Sequence, residues 1–510
     1  MKRTITLVLA ALLVASLFAG CGKEKGPTTF SVGYSKANIT PDPAWSLGLY
    51  GYNDQQTRRA TGVQEPLYAT CTAINDGQGQ TLLLFGLDAL HSTTWIVQKV
   101  REQIEEELGI ENKYVQFTAT HTHSASSHDE KLMIVDRFNN LFVEGCVTAA
   151  KEAVEDLAPA QMYTHFSRLE GVVYRRHFLL SDGTFWGRPL TNLPNGASGY
   201  SELGAADNMM QMVKFTREGK NDVLLVNWQG HSKGNTQGHY TEYSSSNFGV
   251  MRRVLSEQAG IDTMVFLGAG GDANNSSELD TTARSRTYEE LGNLLASHIM
   301  KEYDNFEPAE TGKINVQWEI FNIPSNDIDY ILSAFSFGEV GFAMAPYEMF
   351  TSIALGIKEN SPYKMTFIGT LANGSSNTFY MPDAAAFEYN CYEMSQKYQK
   401  GDGEKFRDEF LRLLEVNFEE AGLEKEEKAE GYIMDRSPKL LEGDVINPAP
   451  GVEEMVTAVN NNLYRMYLRW DGKAQMMLVE GEELATKIMN TSTPMKLYRD
   501  DRDVIVGIEE

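Results

Sequence analysis

The feature that most narrows the fold is a series of short apolar segments, each ended by glycine or a polar turn, that alternate with amphipathic stretches. Leu67 to Ile74 and Thr81 to Leu87 read as buried strands joined by the turn Asp76-Gly77-Gln78-Gly79. Thr94 to Leu108 repeats with helical period and puts Ile96, Val97, Val100, Ile104 and Leu108 on one side. Tyr114 to Thr120 is again a strand and Asn140 to Leu157 a helix, while Val223 to Trp228 and Met264 to Leu267 have the look of central strands. Phe30 to Thr40 adds an opening strand that runs into the turn Asn38-Ile39-Thr40-Pro41-Asp42, and Lys405 to Ala421 a charged amphipathic helix. Strands alternating with helices of this length predict an α/β architecture. From about Glu430 the texture changes to short β-like runs, Leu463 to Trp470 and Met476 to Leu478, so residues 429–510 are expected to form a small β-rich region.

The amino end carries a different signal. Lys2 and Arg3 precede an almost wholly apolar stretch from Ile5 to Phe18, and Leu17-Phe18-Ala19-Gly20-Cys21 closes it. That order reads as an export signal over residues 1–20 with a lipoprotein cleavage site, leaving Cys21 to receive lipid. Residues 21–29 then form a solvated tether, and the expected location is the cell envelope, on a periplasmic or extracellular face. No later stretch reaches the ~18 apolar residues a spanning helix needs. A net charge of −25 argues against a nucleic-acid partner, because phosphate binding needs a basic surface. Beyond Cys21 the cysteines are Cys71, Cys146 and Cys391; none has metal-knuckle spacing, and at most one disulfide can form among them.

Three segments carry candidate chemistry. The strand ending at Thr120 runs into His121-Thr122-His123, where two imidazoles two residues apart on a strand project from one face. That spacing fits a pair of metal ligands, one ligand beside a substrate-facing partner, or a hydrogen-bonded polar edge. Val223 to Trp228 leads into Gln229-Gly230-His231, the position where active sites of α/β sheets collect; His239 reads as solvated. Met264 to Leu267 leads into Gly268-Ala269-Gly270-Gly271-Asp272-Ala273-Asn274-Asn275, where small residues let backbone approach a ligand. It lacks the lysine of a phosphate-binding loop and the glycine spacing of a dinucleotide fingerprint.

In this order the pieces resemble the neutral/alkaline non-lysosomal ceramidase family, zinc amidohydrolases that cleave the N-acyl bond of ceramide. The resemblance runs through Asn38-Ile39-Thr40-Pro41, Gly51-Tyr52 with Gln55, Thr120-His121-Thr122-His123-Ser124, Tyr174-Arg175-Arg176, Asn227-Trp228 before His231, and Pro346-Tyr347-Glu348. Its most specific piece is Tyr380 followed, twelve residues on, by Tyr392-Glu393. The resemblance implies a mixed central sheet with flanking helices over residues 30–428. It implies zinc held by His121, His231, Glu348 and Tyr380, a reaction by zinc-activated water, and a lipid amide as substrate. His123, Arg175 and Tyr392 would face the reacting carbonyl, with Asp272 and Asn274 in the glycine-rich loop beside them. The chain departs from the family at Asn274, which stands where the family has a serine regarded as important for catalysis, and at Ala125-Ser126-Ser127-His128, which replaces a Gly-Pro-Gly-Gly. An amide side chain cannot act as that nucleophile or proton carrier. Ser276 takes its place only if the loop shifts. The departure leaves open a second reading, a ligand-binding lipoprotein that keeps the fold without turnover.

Overall fold

The structure is a computed structural model. It describes residues 29–509, leaving aside 52–56, 92, 127–132, 181–184, 188–199, 203–205, 233–238, 276–285, 324–328, 375–379, 389, 396–397, 435–438, 447–453, 461–462, 471–472, 491–492 and 501–503. Its centre is a nine-stranded mixed sheet. Eight of its strands are β1 (Ser31–Asn38), β2 (Tyr68–Asn75), β3 (Thr81–Leu87), β4 (Val115–Ala119), β5 (Ala158–Arg168), β6 (Met209–Arg217), β7 (Asp222–Trp228) and β8 (Ile261–Leu267). They lie in the order β8-β7-β6-β5-β1-β2-β3-β4, with the short strand Glu307–Ala309 also paired to β5. The middle pairs are antiparallel. The two end pairs, β3 with β4 and β7 with β8, are parallel.

Each parallel end pair is built the way chain sterics require, by a crossover helix. Helix α1 (Thr94–Leu108) links β3 to β4 and buries Ile96, Val97, Val100 and Ile104, the stripe its sequence period marks. The next helix, α2 (Met133–Glu155), starts seven residues before the expected Asn140 (140 − 133), because Phe138, Phe142, Cys146 and Ala153 make one continuous buried face through the Asn139-Asn140 pair. Helix α3 (Ser246–Ala259) links β7 to β8 and stops at Gly260, whose φ of 63° gives the left-handed turn that feeds the chain straight into β8. Helix α4 (Tyr288–Glu302) packs beside it and opens with a capping box between Thr287 and Glu290.

Two central strands escape the sequence expectation. In β5 and β6, polar residues such as Gln161, Thr164, Gln211 and Lys214 interrupt the apolar pattern, yet the two strands pair through nine registered positions. Gln211 is buried because its amide donates to Thr366 O at 2.9 Å.

A second, four-stranded sheet, β9 (Ile314–Asn322), β10 (Asp329–Phe337), β11 (Val340–Met344) and β12 (Met365–Gly369), lies against the first. Phe266 of β8 meets Phe342 and Phe367 at ring separations of 5.5 and 5.7 Å, and Phe335 stacks on Phe342 at 4.4 Å. Burying each such ring stabilises the fold by about 2–3 kcal/mol. Helix α5 (Thr351–Asn360) crosses from β11 towards β12, again a parallel pair, and α6 (Asp402–Ala421) covers the outer face with Phe406, Phe410, Leu413 and Leu414. Residues 439–509 form a further six-stranded sheet with helix α7 (Glu482–Asn490) and a core of its own.

The large sheet rolls until its two ends are joined by one loop. Thr370 N donates to Leu267 O of β8 at 2.9 Å, and Thr118 Oγ1 of β4 donates to Thr370 O at 3.0 Å. Asn373 N donates to Phe117 O at 3.1 Å, while its side chain accepts from Phe117 N at 3.1 Å. Leu371 and Asn373 hold φ of 52° and 58°, a left-handed backbone costly for a leucine, so the surrounding contacts must enforce it. The remaining cysteines, Cys71, Cys146 and Cys391, are buried free thiols. Among the described residues no helix is long and apolar enough to cross a membrane.

Candidate metal centre

Three parallel strand pairs aim their carboxyl ends at one place, the position that open α/β sheets use for ligands. From β4 come His121 and His123, from β7 His231, from β11 Glu348, and from the chain after β12 Tyr380. Strand β4 ends at Ala119, so His121 and His123 lie past it and do not alternate on a strand as expected. They converge through a turn instead: His121 sits at φ 59°, a left-handed conformation rare for histidine. The rings of His121, His123 and His231 stand 4.6 to 4.9 Å apart and edge-on to one another.

The ring nitrogens are sorted by their outer partners. His121 Nδ1 lies 2.8 Å from Leu90 O, and His231 Nδ1 lies 2.8 Å from Ser232 O. A carbonyl only accepts, so each Nδ1 carries a proton, which leaves Nε2 as the atom of each ring free to ligate. Burial first, and then His121 and Arg176, push the pKa of His231 well down; burial, His231, His121, Arg58 and Arg176 do the same to His123. Both rings are therefore neutral at physiological pH. His121 Nε2 faces Glu348 Oε2 at 3.4 Å and His123 Nε2 at 3.4 Å. Glu348 is buried, and its Oε2 accepts no hydrogen bond among the described residues.

Lone pairs and a carboxylate turned towards one another in a buried space repel unless a cation lies between them. Two ligands at zinc-type distances on one tetrahedral ion are separated by about 3.3–3.4 Å, the spacing found here. The donor set fits a metal on that ground. Glu348 and Tyr380 are directly paired in a short parallel ladder, which explains how residues so distant in sequence arrive together. The Tyr380 ring is half-buried and lies 6.0 Å from the Arg176 guanidinium carbon.

The arginines divide. Arg175 pairs with Asp272, its Nη2 2.8 Å from Oδ2. Asp272 is fully buried and accepts from Thr351 N and Oγ1, each at 2.7 Å. Burial alone would raise its carboxyl; the charge of Arg175, His177 and the two Thr351 bonds hold it below the usual carboxylate range. Asp272 and Arg175 thus brace the glycine-rich loop beneath the centre. Arg176 is the arginine at the cluster: it donates to Gly271 O, lies 3.1 Å from Glu393, and its charge reaches both His123 and His231. Consecutive side chains on extended backbone point to opposite faces, so one of the pair had to turn inward, and spacing alone does not say which.

Asn274, half-buried, pairs through its backbone with Tyr174. Its neighbour Asn275, passed over in the sequence reading, is fully buried, accepts from Trp228 Nε1 at 3.4 Å and donates to His231 O. It fixes the backbone that carries a candidate ligand, and Gly230 allows this, since a Cβ there would stand 1.7 Å from Asn275 Oδ1. Gly51 likewise lets the chain press on His123, with φ 111° and a Cβ position 2.5 Å from the ring. His239 is exposed and pairs with Glu242 at 2.8 Å, away from the cluster. The side chain of Tyr392, and residues Tyr52, Gln55, Ser127, His128 and Ser276, lie outside the described residues, as does Cys21.

A rolled mixed sheet with buried imidazoles and a carboxylate at its strand ends defines an α/β protein with a candidate metal centre. Residues 30–270 match the family described as neutral/alkaline non-lysosomal ceramidase, N-terminal, and this match supports a ceramidase-like hydrolase. Two solved structures share the fold. A crystal structure of neutral ceramidase from Pseudomonas aeruginosa is 13% identical, covers 86% of this chain and 84% of that one, and superposes with a TM-score of 0.62. A ceramidase complexed with C2 is 14% identical over 89% of each chain, also with a TM-score of 0.62. A search of curated proteins finds no match.

Proposed function

We propose that the chain is a zinc-dependent amidohydrolase that cleaves an N-acyl bond, with a ceramide-like lipid as its substrate class. The observation that carries this reading is the buried convergence of His121 Nε2, Glu348 Oε2 and the His231 ring, with both Nδ1 positions tied to carbonyls. His121, His231, Glu348 and Tyr380 would hold the metal. Zinc bound there supplies Lewis acidity towards a carbonyl oxygen and towards water. His123, kept neutral by burial and neighbouring charge, accepts a proton from the attacking water and returns it to the leaving amine. Arg176 stabilises negative charge on the acyl oxygen as the tetrahedral centre forms. Asn274 carries no ionisable proton, so water and not a side chain is the attacking group. The reading includes a lipid anchor on Cys21, supported by the sequence pattern of residues 1–21, which would hold the enzyme beside membrane substrates.

The test is metal content and fatty-acid release from a fluorescent N-acyl sphingosine, measured on the purified full-length chain. About one zinc per chain, chelator-sensitive release, and loss of both in His121→Ala with His231→Ala are expected. Zinc without release from this or other N-acyl substrates would favour the ligand-binding lipoprotein, for which Asn274 speaks. No metal in the unaltered protein would sink the ligand assignment.

A further inference from the structure

Next to the centre lies a buried group of charges of which the proposed chemistry uses only Arg176. Arg175, Arg176 and His177 follow one another in sequence and meet two carboxylates, Asp272 and Glu393, both with no side-chain exposure. Glu393 Oε1 is 3.1 Å from Arg176 Nη2 and its Oε2 is 3.9 Å from His177 Nε2. The same Nη2 donates to Gly271 O. Two guanidinium groups thus face two carboxylates, one each, and the pocket is balanced. Burial would raise the carboxyl of Glu393, but the His177 contact and the Arg176 charge hold it below its ordinary value, so it stays ionised.

We propose that Glu393 is a positioning residue: its carboxylate and the Gly271 carbonyl together clamp Arg176 in place at the histidine cluster, and through Arg176 it governs the rate of acyl cleavage. This rests on the hydrolase reading above. The geometry has the form the role needs. Arg176 is 19% exposed, open towards the cluster, while the group that holds it has no exposure at all. A long arginine side chain loses rotamer freedom when fixed, which a charge-assisted contact offsets. Glu393 itself is tied down: it sits in the turn Tyr392–Ser395, directly after Asn390–Cys391, which pairs in parallel with Trp186–Gly187. Gly187 has no Cβ to keep this approach apart, since one built there would stand 2.2 Å from Cys391 Cβ.

A second metal is the competing use of the same group, because donor atoms of His177, Cys391 and Glu393 lie within 4.8 Å of one another. The charges oppose it. A cation would have to share Glu393 with the Arg176 guanidinium, which already lies 3.1 Å from its Oε1.

The experiment is a double-mutant cycle of Glu393→Gln and Arg176→Met, reading kcat, KM, metal content and Tm of the full chain. Each single change should lower kcat by about 10²-fold at little change in KM or metal, and the pair should be no worse than the poorer single. Glu393→Asp, which keeps the charge, should recover part of the loss. Losses that multiply, or a Glu393→Asp variant as poor as Glu393→Gln, would overturn the proposal. So would a second equivalent of metal that disappears in Cys391→Ser. If the unaltered chain turns over no N-acyl substrate, the hydrolase reading fails by itself. The cycle is then read by calorimetry of octanoate, whose carboxylate probes Arg176. Coupled losses of binding support the clamp; independent losses, or no binding, overturn it.

Discussion

His121 shows how much of a site is decided by one backbone torsion. In extended conformation its ring would share a face with His123 as on a strand; at φ 59° the two rings instead meet edge-on, 4.9 Å apart, around a common point. The arginine doublet makes the same point with charge. Asp272→Asn should remove a buried charge that faces the Arg175 guanidinium, at a cost of about 3–5 kcal/mol in urea unfolding. The sign with pH follows from the depressed carboxyl. Asp272 contributes stability above the ordinary carboxylate pKa of about 3.9, and that contribution is lost as pH falls through its folded value; the Asn variant should lack this acid-side slope. Sequence named the residues that meet, His121, His123, His231, Glu348 and Tyr380, because types and order carry that information. It named Arg175 and not Arg176, since nothing in two adjacent identical side chains says which faces the pocket.

Elements whose burial is one-sided or complete were legible as patterns. Helix α1 and strand β3 appear with the bounds their apolar residues mark. Strands β5 and β6 were not, because hydrogen-bonded polar side chains at buried positions erase the alternation. The segment after α6 is a further case: its Tyr432 ring is buried, the hydroxyl accepts from Thr366 N at 2.8 Å, and Lys428 reaches Tyr363 O. Burial first, and then Lys425, push the Lys428 ammonium down to about 8. With an unfolded value near 10.4, the unfolded chain holds more protons between these limits, so stability should rise as pH climbs from about 8 to about 10.4. Lys428→Met should flatten that rise and stabilise the protein at pH 7 by roughly 2 kcal/mol, read as a shift in the urea midpoint.

At the scale of the molecule, the fold class was legible and the closure of the sheet was not. Alternating strands and helices give α/β, but no local pattern says that β4 and β8, at opposite ends of the strand order, will be joined through Thr370 and Asn373. The proposed lipid anchor also belongs to this scale. Cys21→Ser should move the protein from the membrane fraction to the soluble fraction without changing its metal content; a variant still sedimenting with membranes would count against lipidation. The loop that joins β4 to β8 bears on the order of assembly. The centre draws on His121 and on Tyr380, 259 residues later (380 − 121), and its walls meet only once that loop is in place. Contacts so distant along the chain form late and slowly. A chain emerging amino end first therefore carries His121 for a further 227 residues (348 − 121) before Glu348 is made. On the proposed ligand set, capture of an ion would be a late event of maturation, and a copy truncated before Glu348 would lack two of its four ligands.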